Sequence, residues 1–533
     1  MRQLLVRIPA LFSIVLFTYA IPAVAAQKTF VFCAEGSPST FNPQNATDGP
    51  SFNASSRAVS NRLVEFKIGT TDIVPGLAEK WTISKDGKTY RFFLRKNVEF
   101  HSSADFKPTR NFNADDVIYS FEVQKDSKHP FRQKDDYEYF SSMEMDKVIQ
   151  QIKKIDDYTV EMTLVRNEAP FLANMAMDFA SILSKEYAEF ALKKKSDLTL
   201  INTHPIGTGP FVFKSYQKDT TIRYEANKTY FRGKPKIDQL IFAITPDNSV
   251  RTQKLKVGEC HLVSEPSPSD LEALMKSPQI KVLEKEGMNI GYLTFNTLKK
   301  PFDNVLVRRA IAQALNRSSY IQAIYLNRAV VAKNPMPPTI MGYNDKIVDW
   351  KYDVAQAKKL LAEAGLEMGF EMEIWTLPVS RPYNPNGKKM GELMQADLEK
   401  IGVKVKLVTF DWPTYLDKIK RGDHQAAQFG WNGDNGDPDN FMHVLLSCAA
   451  VQGGSNSAKW CHKEYDKLIN QAKTVTNKDE RAKLYQKAQE IFHKEVPWVT
   501  LAHSKVFRAM SSRVTGYVIH PFGGELFEAV DIN

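Results

Sequence analysis

The stretch Gly430–Asn440 reads GWNGDNGDPDN and sets three carboxylates, Asp434, Asp437 and Asp439, beside Trp431 on a glycine-rich turn. It follows the apolar run Ala426–Trp431, so a carboxylate here stands at the end of a buried strand, next to an indole, on a backbone that other groups can approach closely. That setting suits receipt of a cationic group. A second loop, after Glu371–Leu377, carries Arg381, Pro382 and Tyr383. Its guanidinium offers a planar, two-bond grip on a carboxylate. A short zwitterion fits between the two loops; a direct Arg381–Asp434 salt bridge is the alternative arrangement. Catalysis finds little support: no G-x-S-x-G, H-E-x-x-H or S-x-x-K stands in a suitable setting. A calcium loop fails on spacing, which Pro438 interrupts. His101, His204, His443 and His503 have no partner at ligand spacing and read as structural.

The elements that must position these loops have clear punctuation. Asp303 or Asn304 caps a helix through Leu315, and Asp353 caps Val354–Ala364, which Gly365 ends. Strand Glu371–Leu377, a helix through Lys400, strand Val403–Thr409, a helix from Asp411 to Gly422 and strand Ala426–Trp431 follow in order. This β-α-β-α-β run predicts a mainly parallel sheet with right-handed crossovers, whose ligands bind beyond the carboxyl ends of the strands. Earlier in the chain, strand Thr29–Cys33 runs into a turn, and Trp81–Ser84 with Thr89–Leu94 makes a hairpin around Asp86-Gly87. Asn113–Asp116 caps a helix beginning near Val117. Ile206–Phe211 (IGTGPF) reads as a chain crossing rather than a phosphate loop, since no third Gly and no helix follow.

The first 26 residues read as a cleavable export leader: Arg2 and Arg7, the apolar core Leu11–Tyr19, then Ala23-Val24-Ala25. Losing the two Arg lowers the formal charge from +10 to +8, spread among alternating Lys, Glu and Asp, which argues against a nucleic-acid partner. The length calls for two or three domains. Four Cys in an exported chain predict two disulfides with three possible connectivities. Cys448 and Cys461 flank a Gly/Ser/Asn-rich segment, which favours their local pairing and leaves Cys33 with Cys260. A metal site is not expected, for lack of C-x-x-C and of a nearby His pair.

Across the whole chain after the leader, the motifs resemble those of the oligopeptide-type periplasmic binding proteins, solute-binding family 5, in their dipeptide-binding branch. The resemblance is carried by KTFVFCAEGSPSTFNPQ (28–44), NRLVEFKIGTTDIVPGLAEKW (61–81), DGKTYRFFLRKNV (86–98), HPIGTGPF (204–211), SVRTQKLKVGEC (249–260), RPYNPNGKKM (381–390) and GWNGDNGDPDNF (430–441). It implies an α/β fold of the type II periplasmic-binding-protein kind: two lobes in three domains, mixed sheets with helices around a ligand cleft. Domain I would comprise 27–58, 207–286 and 505–533, domain II 59–206 and domain III 287–504. The family pattern also pairs Cys33 with Cys260 and Cys448 with Cys461.

Carried over by position, the resemblance implies that Asp434 receives a dipeptide's ammonium and Arg381 its carboxylate, with Tyr383 beside the latter. It also implies that Thr47 and Gly49 pair their backbone with the ligand and that Trp431 and Gly433 line the pocket. The implied protein is no enzyme and needs no cofactor. It is a periplasmic monomer that delivers dipeptides to an inner-membrane ABC permease, with a chemoreceptor as a further partner. Haem, glutathione or longer peptides are the alternative cargo, and a secreted hydrolase the weaker one. One departure stands out: Asp48 occupies a place where relatives carry Ser. Either it adds an anion near the ligand's amino end, favouring basic ligands, or it faces solvent.

Overall fold

The computed structural model describes residues 27–193, 198–453 and 455–533. The leader lies outside the described residues. Twelve strands form one sheet, ordered Lys404–Val408, Glu371–Trp375, Ala426–Asn432, Asn289–Phe295, Trp498–Ser511, Leu262–Ser264, Thr29–Ala34, Gln239–Ile244, Thr221–Ala226 and Phe211–Gln217. The remaining two, Ile280–Glu286 and Ala329–Val331, also pair with Trp498–Ser511. This sheet is mixed, which corrects the mainly parallel expectation. The β-α-β-α-β run does give three parallel strands, with Glu371–Trp375 between Lys404–Val408 and Ala426–Asn432. Its neighbour Asn289–Phe295 runs antiparallel, because that strand arrives from a crossover outside the run and not through a helix.

Trp498–Ser511 is the spine. Its first half pairs with Asn289–Phe295, up to Ala502, and its second half with Ile280–Glu286, from Lys505 onward. Glu286–Asn289 and Ala502–Lys505 therefore cross side by side between two parts of the sheet. The Asn289 side chain fills the interruption as a peptide group would. Its Nδ2 donates to the Ser504 carbonyl at 2.9 Å and its Oδ1 accepts from the Ser504 amide at 2.9 Å. The buried backbone groups there stay paired, as burial requires.

A separate four-stranded antiparallel sheet holds Ala78–Ile83, Thr89–Leu94, Thr159–Leu164 and Ile149–Asp156. Helix Ala114–Lys125 stands beside it. That helix begins three residues before the sequence expectation. Asn113 caps it and the Asp116 carboxylate reaches back to the Asn113 amide, so Ala114–Asp116 form its first turn. Where the chain leaves this region, a Cβ at Gly207 or Gly209 would lie 2.1 Å or 2.5 Å from the Val59 backbone, so only glycine permits the two segments to cross. Cys33 is bonded to Cys260 and Cys448 to Cys461.

Candidate functional site

Both loops singled out by their charges lie beyond the carboxyl ends of the parallel strands. The first is anchored through Tyr383. Gly291 and Gly430 are register partners on adjacent strands, and together they form a trough. A Cβ at Gly430 would lie 2.2 Å from the Tyr383 ring, and one at Gly291 2.3 Å from the Tyr383 carbonyl. The ring is buried among Trp375, Leu377, Tyr415 and Ala427, while the Tyr325 hydroxyl donates to the Tyr383 carbonyl at 2.6 Å. The Ser504 hydroxyl donates to the Pro382 carbonyl at 2.7 Å, tying this loop to the crossing point.

So held, Arg381 carries its guanidinium 5.2 Å over the Trp412 ring. Burial raises the Tyr383 phenol above its ordinary range, with Arg381 opposing. Arg381 also acts on Glu35. Burial raises that carboxyl, but Arg381, the Ser264 hydroxyl and Arg251 outweigh burial and hold it below the ordinary carboxylate range. Among the described residues, no Arg381–Asp434 ion pair is formed.

The three aspartates of the second loop have separate fates. Asp437 is gripped by Arg481 through its two terminal nitrogens, Nη1 and Nη2, at 2.6 and 2.7 Å. Asp439 is buried and its amide donates to Asp437 Oδ1 at 2.9 Å. Asp434 lines a cavity of about 40 Å³. Asn440 fixes it: its Oδ1 accepts both the Asp434 amide at 2.9 Å and the Trp431 indole N–H at 3.0 Å. The Gly433 amide donates to the Met288 carbonyl at 2.6 Å, close against Phe441.

From the other side, Tyr139 Oη donates to Asp434 Oδ2 at 3.0 Å. Burial, then the charge of Asp178, push the Asp434 carboxyl up to about 7, against hydrogen bonds from Tyr139 and Asn440 and the charge of Arg57. A carboxyl so placed is an anion that lacks its cation. Tyr139, Asn440 and Glu35 were not marked by the sequence. Only Asn440 lay within the loop, and nothing distinguished it from the other Asn there.

Thr47 and Gly49 are exposed, and a Cβ on Gly49 would stand 4.0 Å from the Glu35 carboxylate. Gly49 therefore sits on the Glu35 side of the site. Asp48, between Thr47 and Gly49, is half-buried and caps helix Gly49–Ala54, a role the sequence did not mark. Its Oδ1 accepts from the Ser51 amide at 2.9 Å and its Oδ2 from the Ser39 and Ser51 hydroxyls at 2.6 and 2.8 Å. Of the histidines, His101 and His503 each bond a backbone carbonyl, those of Gly209 and Asn289, at 2.9 and 2.8 Å. Burial pushes both down to about 4, as for neutral structural imidazoles.

Residues 72–453 match the model of bacterial extracellular solute-binding proteins, family 5 (middle). The chain is 50% identical over 522 residues to the dipeptide-binding protein of Escherichia coli K12, covering 98% of this chain and 97% of that one. It is 47% identical over 511 residues to heme-binding protein A of Haemophilus influenzae, covering 96% and 93%. Among solved structures, the dipeptide-binding protein of Pseudoalteromonas sp. SM9913 in complex with Met-Leu superposes with a TM-score of 0.90 at 39% identity, covering 95% of this chain and all of that one. DppA of Helicobacter pylori in complex with the peptide STSA gives 0.90 at 38% identity, covering 95% and 98%.

Proposed function

The chain belongs to the bacterial extracellular solute-binding proteins of family 5, with the type II binding-protein fold, and from that premise we propose that it captures dipeptides by their two charged ends. Asp434 receives the ammonium and Arg381 the carboxylate, with the Tyr383 hydroxyl beside it. Thr47 and Gly49 offer backbone to the extended ligand, and Trp431 and Gly433 wall the pocket. Backbone pairing with charged-end capture reads the length of the ligand more than its side chains. One observation carries this assignment: two opposite charges stand at strand ends of the same sheet without pairing with each other. Arg381 rests instead on Trp412 and near Glu35, and Asp434 on Tyr139.

The lobes work as domains with the boundaries the resemblance implies: domain I from 27–58, 207–286 and 505–533, domain II from 59–206 and domain III from 287–504. Glu286–Asn289 and Ala502–Lys505 form the hinge. Tyr139 in domain II and Glu35 in domain I face domain III across the cleft, so opening separates Tyr139 from Asp434 and admits ligand. The protein acts in the periplasm as a monomer after removal of residues 1–26, turns nothing over, and hands its cargo to an ABC permease of the inner membrane. A chemoreceptor is a second reader of the closed form. Small-angle scattering with and without Ala-Ala tests this: the radius of gyration falls on binding and the peptide is recovered intact. An unchanged radius, or steady cleavage of the peptide, contradicts it. The 47% identity to heme-binding protein A supports haem as a second cargo, read as a Soret band on the purified protein after addition of haem.

A further inference from the structure

The cavity beside Asp434 holds a second buried cation whose hydrogen-bonding capacity the protein leaves unused. Arg57, Arg62, Phe66, Asp178 and His520 line it with Asp434. Arg62 is only 8% exposed, yet its Nε and Nη1 make no hydrogen bond among the described residues. Its ion-pair contacts are long, 3.9 Å from Nη1 to Asp178 and 3.7 Å from Nη2 to Glu65. Arg57, by contrast, donates to Asn53 at 2.8 Å and to Asp178 at 3.1 Å. Glu65 is also committed elsewhere, to Arg232 at 2.6 Å. Buried guanidinium donors without partners are costly, and they call for an acceptor from the adjoining space.

Charge specifies that acceptor and size admits it. A cavity of about 40 Å³ has room for more than a single water, enough to take a carboxylate. Arg57 and Arg62 balance Asp178 and Asp434 around it, and burial, then the charge of Arg57, push His520 down to about 3, so that it adds no charge near neutral pH. An ammonium docked on Asp434 adds one positive charge, and a carboxylate against Arg62 restores the balance.

We propose that this cavity is a side-chain subsite in which Arg62 grips the carboxylate of an acidic first residue of the ligand. The subsite rests on the reading that the ligand's amino end docks on Asp434. Calorimetric titration of the intact protein at pH 7.5 with Asp-Ala, the isosteric Asn-Ala, Ala-Ala and Lys-Ala tests it. Asp-Ala binds about ten- to a hundredfold tighter than Asn-Ala, the range of a hydrogen bond to a charged group, and Lys-Ala binds most weakly. In Arg62→Gln the ratio of Asp-Ala to Asn-Ala falls to about one. Equal binding of Asp-Ala and Asn-Ala by the unmutated protein overturns the subsite and needs no variant. A folded Arg62→Gln protein that keeps the preference overturns it as well. If none of the four dipeptides binds, the docking at Asp434 fails instead, which separates the two failures.

Discussion

Acidification should weaken ligand binding through one group, Asp434. Its carboxyl is pushed up to about 7 by burial and by Asp178, and only the ionised form attracts an ammonium. With that value, roughly three-quarters of the unliganded molecules carry the carboxylate at pH 7.5 and about 3% at pH 5.5, so the apparent Kd weakens about 25-fold between them. The other groups that face the cavity hold their charge in this window. Asp178 is raised by burial but held below the ordinary range by Arg57 and Arg62, Tyr139 is raised well above its own, and His520 lies near 3. Above neutrality the ligand's α-amino group, of pKa about 7.7–8.0, loses its proton and affinity falls again.

Binding near pH 7 should release about 0.4 proton per ligand, the half proton from Asp434 less what the ligand's amino group takes up, read from calorimetry in buffers of different ionisation enthalpy. The sign for folding is opposite to that of an ion-paired carboxylate. The folded protein holds a proton at Asp434 that the unfolded chain releases from about pH 4 upward, so stability contributed by this group is lost as pH rises to about 7. The loss is at most about 4 kcal/mol. Asp434→Asn should therefore abolish the acid limb of binding, weaken binding itself, and raise the melting temperature of the free protein at pH 7.5. A Kd that is flat from pH 5.5 to 7.5, or an Asp434→Asn protein with the same acid limb, refutes the reasoning.

Arg381→Gln should weaken Ala-Ala binding by the equivalent of about 2–5 kcal/mol, read by calorimetry, and should lower the melting temperature as well, since Arg381 helps hold buried Glu35 ionised and lies over Trp412. Gly430→Ala should collide with the Tyr383 ring and displace the loop, costing about 1–3 kcal/mol of stability in denaturant titration and weakening binding with it. Replacing both Cys448 and Cys461 by Ser opens a link between residues 13 apart and should cost about 3 kcal/mol, read by the same titration, with ligand affinity per folded molecule unchanged.

Local chemistry was readable wherever a residue acts on its sequence neighbours. Asn113, Asp353 and Asp411 cap the helices they were expected to cap, and Gly365, Gly402 and Gly422 end helical segments with positive φ. The two charged loops, and both cysteine pairings, followed from similar reasoning. What was not readable depends on long-range juxtaposition. Tyr139 meets Asp434 across 295 residues of sequence, and no periodicity records such a meeting. The three aspartates looked equivalent because only Arg481, 44 residues on, withdraws Asp437 from the site. The capping by Asp48 was not readable for a different reason: the helix it precedes is short with Pro at its start, and its partners Ser39 and Ser51 lie on both sides of it. The helix–strand alternation of 371–431 predicted parallel strands and found three, whereas the mixed sheet came only from the resemblance, because Trp498–Ser511 gives its two halves to different partners, a choice no local pattern encodes.

The central claim is that both charged ends of a dipeptide are gripped, and calorimetric titration with Ala-Ala, its N-acetylated form and its C-amidated form tests it most directly. Each cap removes one charge and leaves Asp434 or Arg381 without its partner, so each capped peptide should bind about 30- to 5,000-fold more weakly than the free one. The N-acetyl loss should be the one absent from Asp434→Asn, and the amide loss the one absent from Arg381→Gln. Capped and free peptides binding alike would contradict the account.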